Sequence, residues 1–155
     1  MLPVAAAANT FALSTSAGTG DGAERYTLGG QWLKPWRETN TGALLWSLDL
    51  DGSYWIGHHD SLVQLSLVPG LVYQGNNAGL KPIAYAGIGP AWISQTRLDS
   101  RELSTQFQFN SRIGVGMMTG RHSLALEAWH LSNAGLKRPN DGLTSYGLSY
   151  RYRFD

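Results

Sequence analysis

Hydrophobic and polar residues alternate along most of this chain with a period of two, the signature of β-strands with one apolar and one polar face. Eight segments carry the pattern: residues 10–17, 23–33, 43–54, 62–74, 82–94, 105–118, 122–132 and 143–154. In the sixth, Phe107, Phe109, Ile113, Val115 and Met117 fall on one face; Gln106, Gln108, Asn110, Arg112, Gly114 and Gly116 fall on the other. In the eighth, Tyr146, Leu148, Tyr150, Tyr152 and Phe154 oppose Ser145, Gly147, Ser149, Arg151 and Arg153. In the third, Leu44, Trp46, Leu48 and Leu50 oppose Ser47, Asp49 and Asp51.

Which face lies inside decides the class of fold. A barrel of eight strands has room in its interior only for side chains that fill it. Rows of Phe, Tyr, Trp and Leu from every strand would overfill that space, which argues against a soluble lipocalin-like barrel. The opposite rows combine Gly, Ala and Ser with pairable charges (Arg25, Asp49, Asp51, Arg112, Glu127, Arg151, Arg153), a set suited to a narrow lumen. The expected fold is therefore all-β: an eight-stranded antiparallel up-and-down transmembrane β-barrel with its apolar face toward lipid. The segments are long enough for tilted spanning strands, which need roughly 9–11 residues. Trp32, Trp36, Trp55, Tyr73 and Trp92, near strand ends, are candidates for the interfacial aromatic girdles. An even strand count puts both termini on one side, taken as periplasmic, and places the connection 133–142 outside the cell.

Composition agrees. Only 15% of the 155 residues are charged, against roughly 25% in soluble domains. There are 19 glycines, seven tyrosines and six tryptophans. No apolar run approaches the roughly 18 residues of a spanning helix. A net charge of +1 gives no argument for nucleic acid, and the absence of cysteine excludes disulfides and thiolate metal sites. Residues 1–9, Met-Leu-Pro-Val followed by four alanines and Asn9, read as the remnant of a secretory signal or a disordered N-terminus. Residues 10–155 read as one barrel domain.

Candidate chemistry sits on the seventh segment. Leu124, Leu126, Ala128, His130 and Ser132 share its apolar face. Residues two apart on a strand are separated by about 6.6 Å and point the same way, which brings an imidazole within reach of a hydroxyl. Ser132 is the candidate nucleophile and His130 the general base. The pair faces lipid beside the outer loop, which suggests ester chemistry on a membrane substrate.

The segment His130-Leu131-Ser132-Asn133-Ala134-Gly135-Leu136-Lys137-Arg138-Pro139-Asn140-Asp141-Gly142 closely resembles the signature of the PagL family, outer-membrane lipid A 3-O-deacylases. The likeness extends through Lys81-Pro82-Ile83-Ala84-Tyr85-Ala86-Gly87-Ile88-Gly89, Arg112-Ile113-Gly114-Val115-Gly116 and Ser145-Tyr146. It implies hydrolysis of the 3-linked acyl ester of lipid A in the outer leaflet, without metal or other cofactor. The implied partners are lipopolysaccharide and membrane lipids, not nucleic acid, with room for a homodimer. It assigns Ser132 and His130 as nucleophile and base, and suggests Asn133 and Gly135 as oxyanion donors with Asn140 shaping the loop. The family places a glutamate at the start of the last strand to orient the histidine; this chain has Thr144 there. A hydroxyl fixes a tautomer but cannot neutralise an imidazolium. Asp141 is the nearby alternative acid, although a turn former by type, and Glu127 points into the lumen by parity. The departure keeps open a second reading, a silent barrel that binds or senses lipopolysaccharide.

Other signals carry less. His58-His59-Asp60 reads as a solvated loop tip rather than a metal site. Gly18-Thr19-Gly20-Asp21-Gly22 lacks the helix and Gly-Lys-Ser/Thr of a phosphate loop and reads as a hairpin turn. Arg97, Arg101, Lys137 and Arg138 fall in the outer loops, where they either meet phosphates or are simply solvated.

Overall fold

In a computed structural model describing residues 9–154, the chain forms a closed barrel of eight long antiparallel strands. The strands are β1 (Thr10–Gly20), β2 (Ala23–Thr39), β3 (Gly42–Ile56), β4 (Ser61–Gly75), β5 (Lys81–Ile93), β8 (Phe107–Thr119), β9 (His122–Ser132) and β10 (Leu143–Phe154). Two short strands, β6 (Arg97–Leu98) and β7 (Arg101–Glu102), pair as a small ribbon within the β5–β8 connection. Sequential strands are neighbours, and β1 pairs with β10 to close the cylinder. Of the expected N-terminal leader remnant, residues 1–8 lie outside the described residues.

All eight expected strands are present; β9 and β10 have the expected bounds and the other six have different ends. The largest difference is in β2, which runs on to Thr39. Pro35 lacks the N–H of a regular ladder, and the register with β3 shifts between Pro35 and Arg37. The strand absorbs the proline as an irregularity instead of stopping at it. The β4–β5 ladder is likewise interrupted between Ser66–Ala91 and Gly70–Gly87, where Pro69 and Pro90 sit.

Alternation sorts the side chains as the packing argument requires. Leu28, Leu50, Leu65, Ile88, Ile113, Val115, Leu126 and Leu148 are exposed on the outer wall. Arg25, Asp49, Asp51, Gln64, Gln108, Asn110, Arg112, Glu127 and Arg151 are buried inside. The Arg112 guanidinium bridges Asp49 and Asp51, and donates to Asp51 Oδ2 at 3.0 Å. Glu127 accepts from Arg25 Nη2 at 3.1 Å and from Tyr85 Oη at 2.8 Å, with Arg151 Nη2 at 3.9 Å. Apolar layers lie on either side of this charged belt. One comprises Trp55, Leu62, Ile93, Leu98, Leu103, Leu131 and Leu143; the other Leu33, Leu45, Val72, Ile83, Met118 and Ala125.

Trp55 corrects one expectation. It is fully buried in the lumen, donating Nε1 to Gln64 Oε1 at 2.7 Å, and takes no part in an interfacial girdle. Its parity with Asp49, Asp51 and Ser53 dictates this. Trp129 is also inside, with the Arg25 guanidinium carbon 3.9 Å from its ring centroid. Trp36, Trp46 and Trp92 do face outward.

Glu127 is the only carboxylate contacting both Arg25 and Arg151 among the described residues. Glu127→Gln leaves two enclosed guanidiniums without their counter-charge. The expected cost is about 3 kcal/mol, read as a lower urea midpoint for the barrel in detergent. Glu24→Gln, on the exposed outer face, is expected to leave the midpoint unchanged.

Candidate active site

The end of β9 is held from inside and presents its chemistry outside. Trp129, Leu131 and Asn133 point inward and are almost fully buried. The Arg25 and Arg112 guanidinium carbons lie 3.9 and 5.7 Å from the Trp129 ring centroid, while Leu131 packs with Leu103 and Leu143. The intervening residues, His130 and Ser132, therefore face outward on a strand whose register is pinned. His130 is exposed and Ser132 half-buried. Across the sheet His130 pairs with Thr144 of β10 and Ser111 of β8, and Ser132 pairs with Phe109.

The imidazole is fixed on two sides. Its Nδ1 lies 3.0 Å from Thr144 Oγ1, the position expected to hold an acid. With Nδ1–H donated to the hydroxyl, Nε2 is the basic nitrogen. Against the ring lies Gly142, at φ +65°, where an added Cβ would come within 3.0 Å of His130 Cε1 and 3.5 Å of Nε2. Glycine at this position permits both the left-handed backbone and the close approach. Ser132 Oγ makes no hydrogen bond among the described residues.

The 133–142 connection is built by three of the residues singled out from the sequence. Asn133 Nδ2 donates to Leu103 O at 2.9 Å and Lys137 O at 2.8 Å, and its Oδ1 accepts from Gly135 N at 2.9 Å. Asn140 Oδ1 accepts from Asn133 N at 3.1 Å. Ala134 and Gly135 both have positive φ, and Leu136 N donates to Asn133 O, closing a type I′ turn. Ala134 at φ +54° carries strain of about 1–2 kcal/mol, held in place by the buried Asn133 amide. In this arrangement the side-chain N–H₂ of Asn133 and the N–H of Gly135 are engaged in shaping the turn.

Asp141 is not brought to His130. Its Oδ2 accepts from Glu102 N at 2.7 Å, and its N–H donates to Glu102 O at 3.1 Å, tying the loop to β7. The carboxylate bonded to this end of β10 is Asp21, from the β1–β2 turn. Its Oδ2 accepts from Thr144 N at 2.7 Å and its Oδ1 from Arg101 Nη2 at 2.9 Å. Sequence reasoning passed over Asp21 as a turn residue. Register was the available signal: Thr19 pairs with Tyr146, so two residues further along the hairpin Asp21 falls opposite Thr144.

The loops around the site are mutually braced. Asp99 accepts from the backbone N–H groups of His58 at 2.6 Å, His59 at 2.8 Å and Asp60 at 3.1 Å. Bonds from His59 and His58, the largest effects, hold its carboxyl below the usual carboxylate range. The His58-His59-Asp60 tip is thus a locked turn, and no cluster of three or more metal-ligating side chains occurs among the described residues. Below His130 the wall carries a furrow of about 240 Å³ bordered by Ser111, Ile113, Ala128 and Thr144. It adjoins a second hollow of about 420 Å³ along Ile113, Val115, Leu126, Ala128 and Tyr146. Ala128 forms the low floor between Ile113 and Tyr146, its partners on the two adjacent strands.

Comparison with known proteins places this architecture. Residues 19–153 match the family described as lipid A 3-O-deacylase (PagL). The chain is 39% identical over 138 residues to the lipid A deacylase PagL of Pseudomonas aeruginosa, covering 86% of this chain and 80% of that protein. It is 32% identical over 148 residues to the lipid A deacylase PagL of Bordetella bronchiseptica, covering 88% and 80%. A crystal structure of the outer membrane enzyme PagL superposes with a TM-score of 0.85 at 37% identity, over 91% of this chain and 98% of that one. The N-terminal β-barrel domain of Pseudomonas aeruginosa OprF, at 18% identity and a TM-score of 0.54, shares the fold alone. An outward histidine and serine on a closed eight-stranded wall, together with these matches, establish that the chain belongs to the PagL family of lipid A 3-O-deacylases.

Proposed function

We propose that this chain is an outer-membrane esterase that hydrolyses the 3-O-linked acyl chain of lipid A, with Ser132 as nucleophile and His130 as general base and then general acid. The observation that carries the reading is the placement of both groups on the lipid-facing wall, with Nδ1 of the imidazole held by Thr144 at 3.0 Å. A substrate embedded in the outer leaflet meets them laterally, without entering the lumen.

Ser132 Oγ attacks the ester carbonyl as His130 Nε2 takes its proton. The tetrahedral intermediate collapses, and the imidazolium returns the proton to the sugar alkoxide. Water, activated by the same imidazole, then hydrolyses the acyl-serine to release the fatty acid. The furrow over Ala128 gives an acyl chain a track down the wall while its ester stays level with the pair. Asn133, Gly135 and Asn140 support the reaction by holding the turn that follows the nucleophile. Stabilising the oxyanion by the Asn133 amide or Gly135 N–H requires an exchange of their present bonds. Glu127 remains in the lumen, paired with arginines, and takes no part.

Thr144 hydrogen-bonds the imidazole but brings no charge, so the imidazolium formed at each transfer is stabilised less than a carboxylate there would allow. A catalytically silent lipopolysaccharide-binding barrel is the outcome this feature would favour, and direct assay separates the two. Purified protein with lipid A is expected to release a 3-hydroxy fatty acid, detected by mass spectrometry. Ser132→Ala and His130→Asn are each expected to lower the rate by about a thousandfold or more while leaving the folded barrel intact. Intact lipid A after incubation with wild-type protein would decide for the silent barrel. Thr144→Glu is expected to raise kcat by about tenfold; an unchanged or lower kcat would show that no acid is missing.

A further inference from the structure

Asp21 occupies a turn whose conformation does not require a carboxylate. Asp21 and Gly22, at φ +54° and +77°, take the paired left-handed conformation that Asn-Gly satisfies equally well. Its two oxygens are nevertheless both in use, and both lead to His130. Oδ2 accepts the Thr144 N–H at 2.7 Å, and Thr144 Oγ1 meets His130 Nδ1 at 3.0 Å. Oδ1 pairs with Arg101 Nη2 at 2.9 Å, and Arg101 Nη1 donates to the carbonyls of Asp141 and Gly142, each at 3.2 Å. Gly142 is the residue packed on the ring. The two residues that fix the imidazole are thus both tied to one carboxylate. Across the barrel wall, Ser111, His130, Thr144 and Asp21 form one row, with Asp21 one strand beyond the position expected to hold the acid.

Other charges around the ring are already committed. Asp141 binds Glu102 N; Glu102 pairs with Arg97 at 3.4 Å; Arg112, behind Ser111, faces the lumen and its aspartates. Lys137 and Arg138 are exposed on the far part of the loop. Resting on the Ser132–His130 reading above, we propose that Asp21 is the positioning residue for His130, supplying from the β1–β2 turn, through Thr144, the negative charge missing from the start of β10. The side chain is about one quarter exposed and paired with Arg101, so its field on the imidazole is reduced in part by water and in part by that guanidinium.

The test is a set of variants of the full barrel, assayed on lipid A in detergent. Asp21→Asn keeps the turn and an acceptor for Thr144 N–H while removing the charge. It is expected to lower kcat about tenfold and to change KM less than about twofold. In a Thr144→Glu background the same change is expected to cost less than about twofold, because the acid is then supplied on β10. Arg101→Gln, which breaks the clamp on Gly142 but keeps the carboxylate, is expected to retain more kcat than Asp21→Asn. Wild-type kcat in Asp21→Asn, or an equal loss in both Thr144 backgrounds, overturns the proposal; the second result assigns Asp21 to loop structure alone. The labelling rate of Ser132 by a fluorophosphonate probe gives the same comparison without lipid turnover. Failure of the Ser132–His130 reading appears separately, as hydrolysis that survives Ser132→Ala.

Discussion

The buried ion-pair belt around Arg112, Glu127 and their partners is the constraint on which the rest of the molecule depends. A barrel with apolar side chains directed outward must fill its own interior with what remains on the other face. Here that is a set of guanidiniums, carboxylates and amides linked by ion pairs and hydrogen bonds, with aromatic rings among them. Arg112 spans Asp49 and Asp51, and Glu127 gathers Arg25, Arg151 and Tyr85. Contacts such as these join β2, β3, β5, β8, β9 and β10 through the lumen. An interior of this kind excludes a passage and makes the cylinder a solid support, so function is left to the wall and the rim.

The wall converts that rigidity into chemistry by alternation alone. Inward residues at 129, 131 and 133 lock β9 into the interior, and this leaves the residues between them no choice of face. His130 and Ser132 are presented at the outer rim as a direct consequence of what Trp129, Leu131 and Asn133 bury. The same strand carries Ala128 between Ile113 and Tyr146, so an apolar groove begins where the His130–Ser132 pair ends. In the proposed reaction, ester and acyl chain are met by adjacent residues of a single strand. The clasped loops add the last restraint: Asp99 on the 58–60 tip, Asp141 on β7, and Asp21 with Arg101 on the start of β10.

Much of this was legible in the chain. Strand number, the inverted faces, the lumenal placement of Glu127 and the shared face of His130 and Ser132 all follow from period-two patterning, a local property. At Trp55 parity outweighs residue type: a tryptophan near a strand end suggests a girdle, but its parity with Asp49 and Asp51 places it inside. Strand ends were less legible. Pro35 reads locally as a breaker, yet β2 continues past it because β3 still offers partners beyond the irregularity. The small β6–β7 ribbon is too short for any periodicity to reveal.

Around the site, sequence proximity misled where register would have guided. Asp141 is eleven residues from His130 but turned toward Glu102; Asp21 lies at the opposite end of the chain and is bonded to Thr144. The sequence by itself determined the barrel, the lipid-facing orientation of its apolar rows and the shared outward face of His130 and Ser132, because each depends on alternation along one strand. Only the tertiary structure decided which carboxylate is bonded to Thr144, how Gly142 and Thr144 confine the ring, and how the Asn133 amide is engaged. Those depend on closure of β1 against β10 and on loops meeting over the rim, contacts between segments that local patterning does not encode.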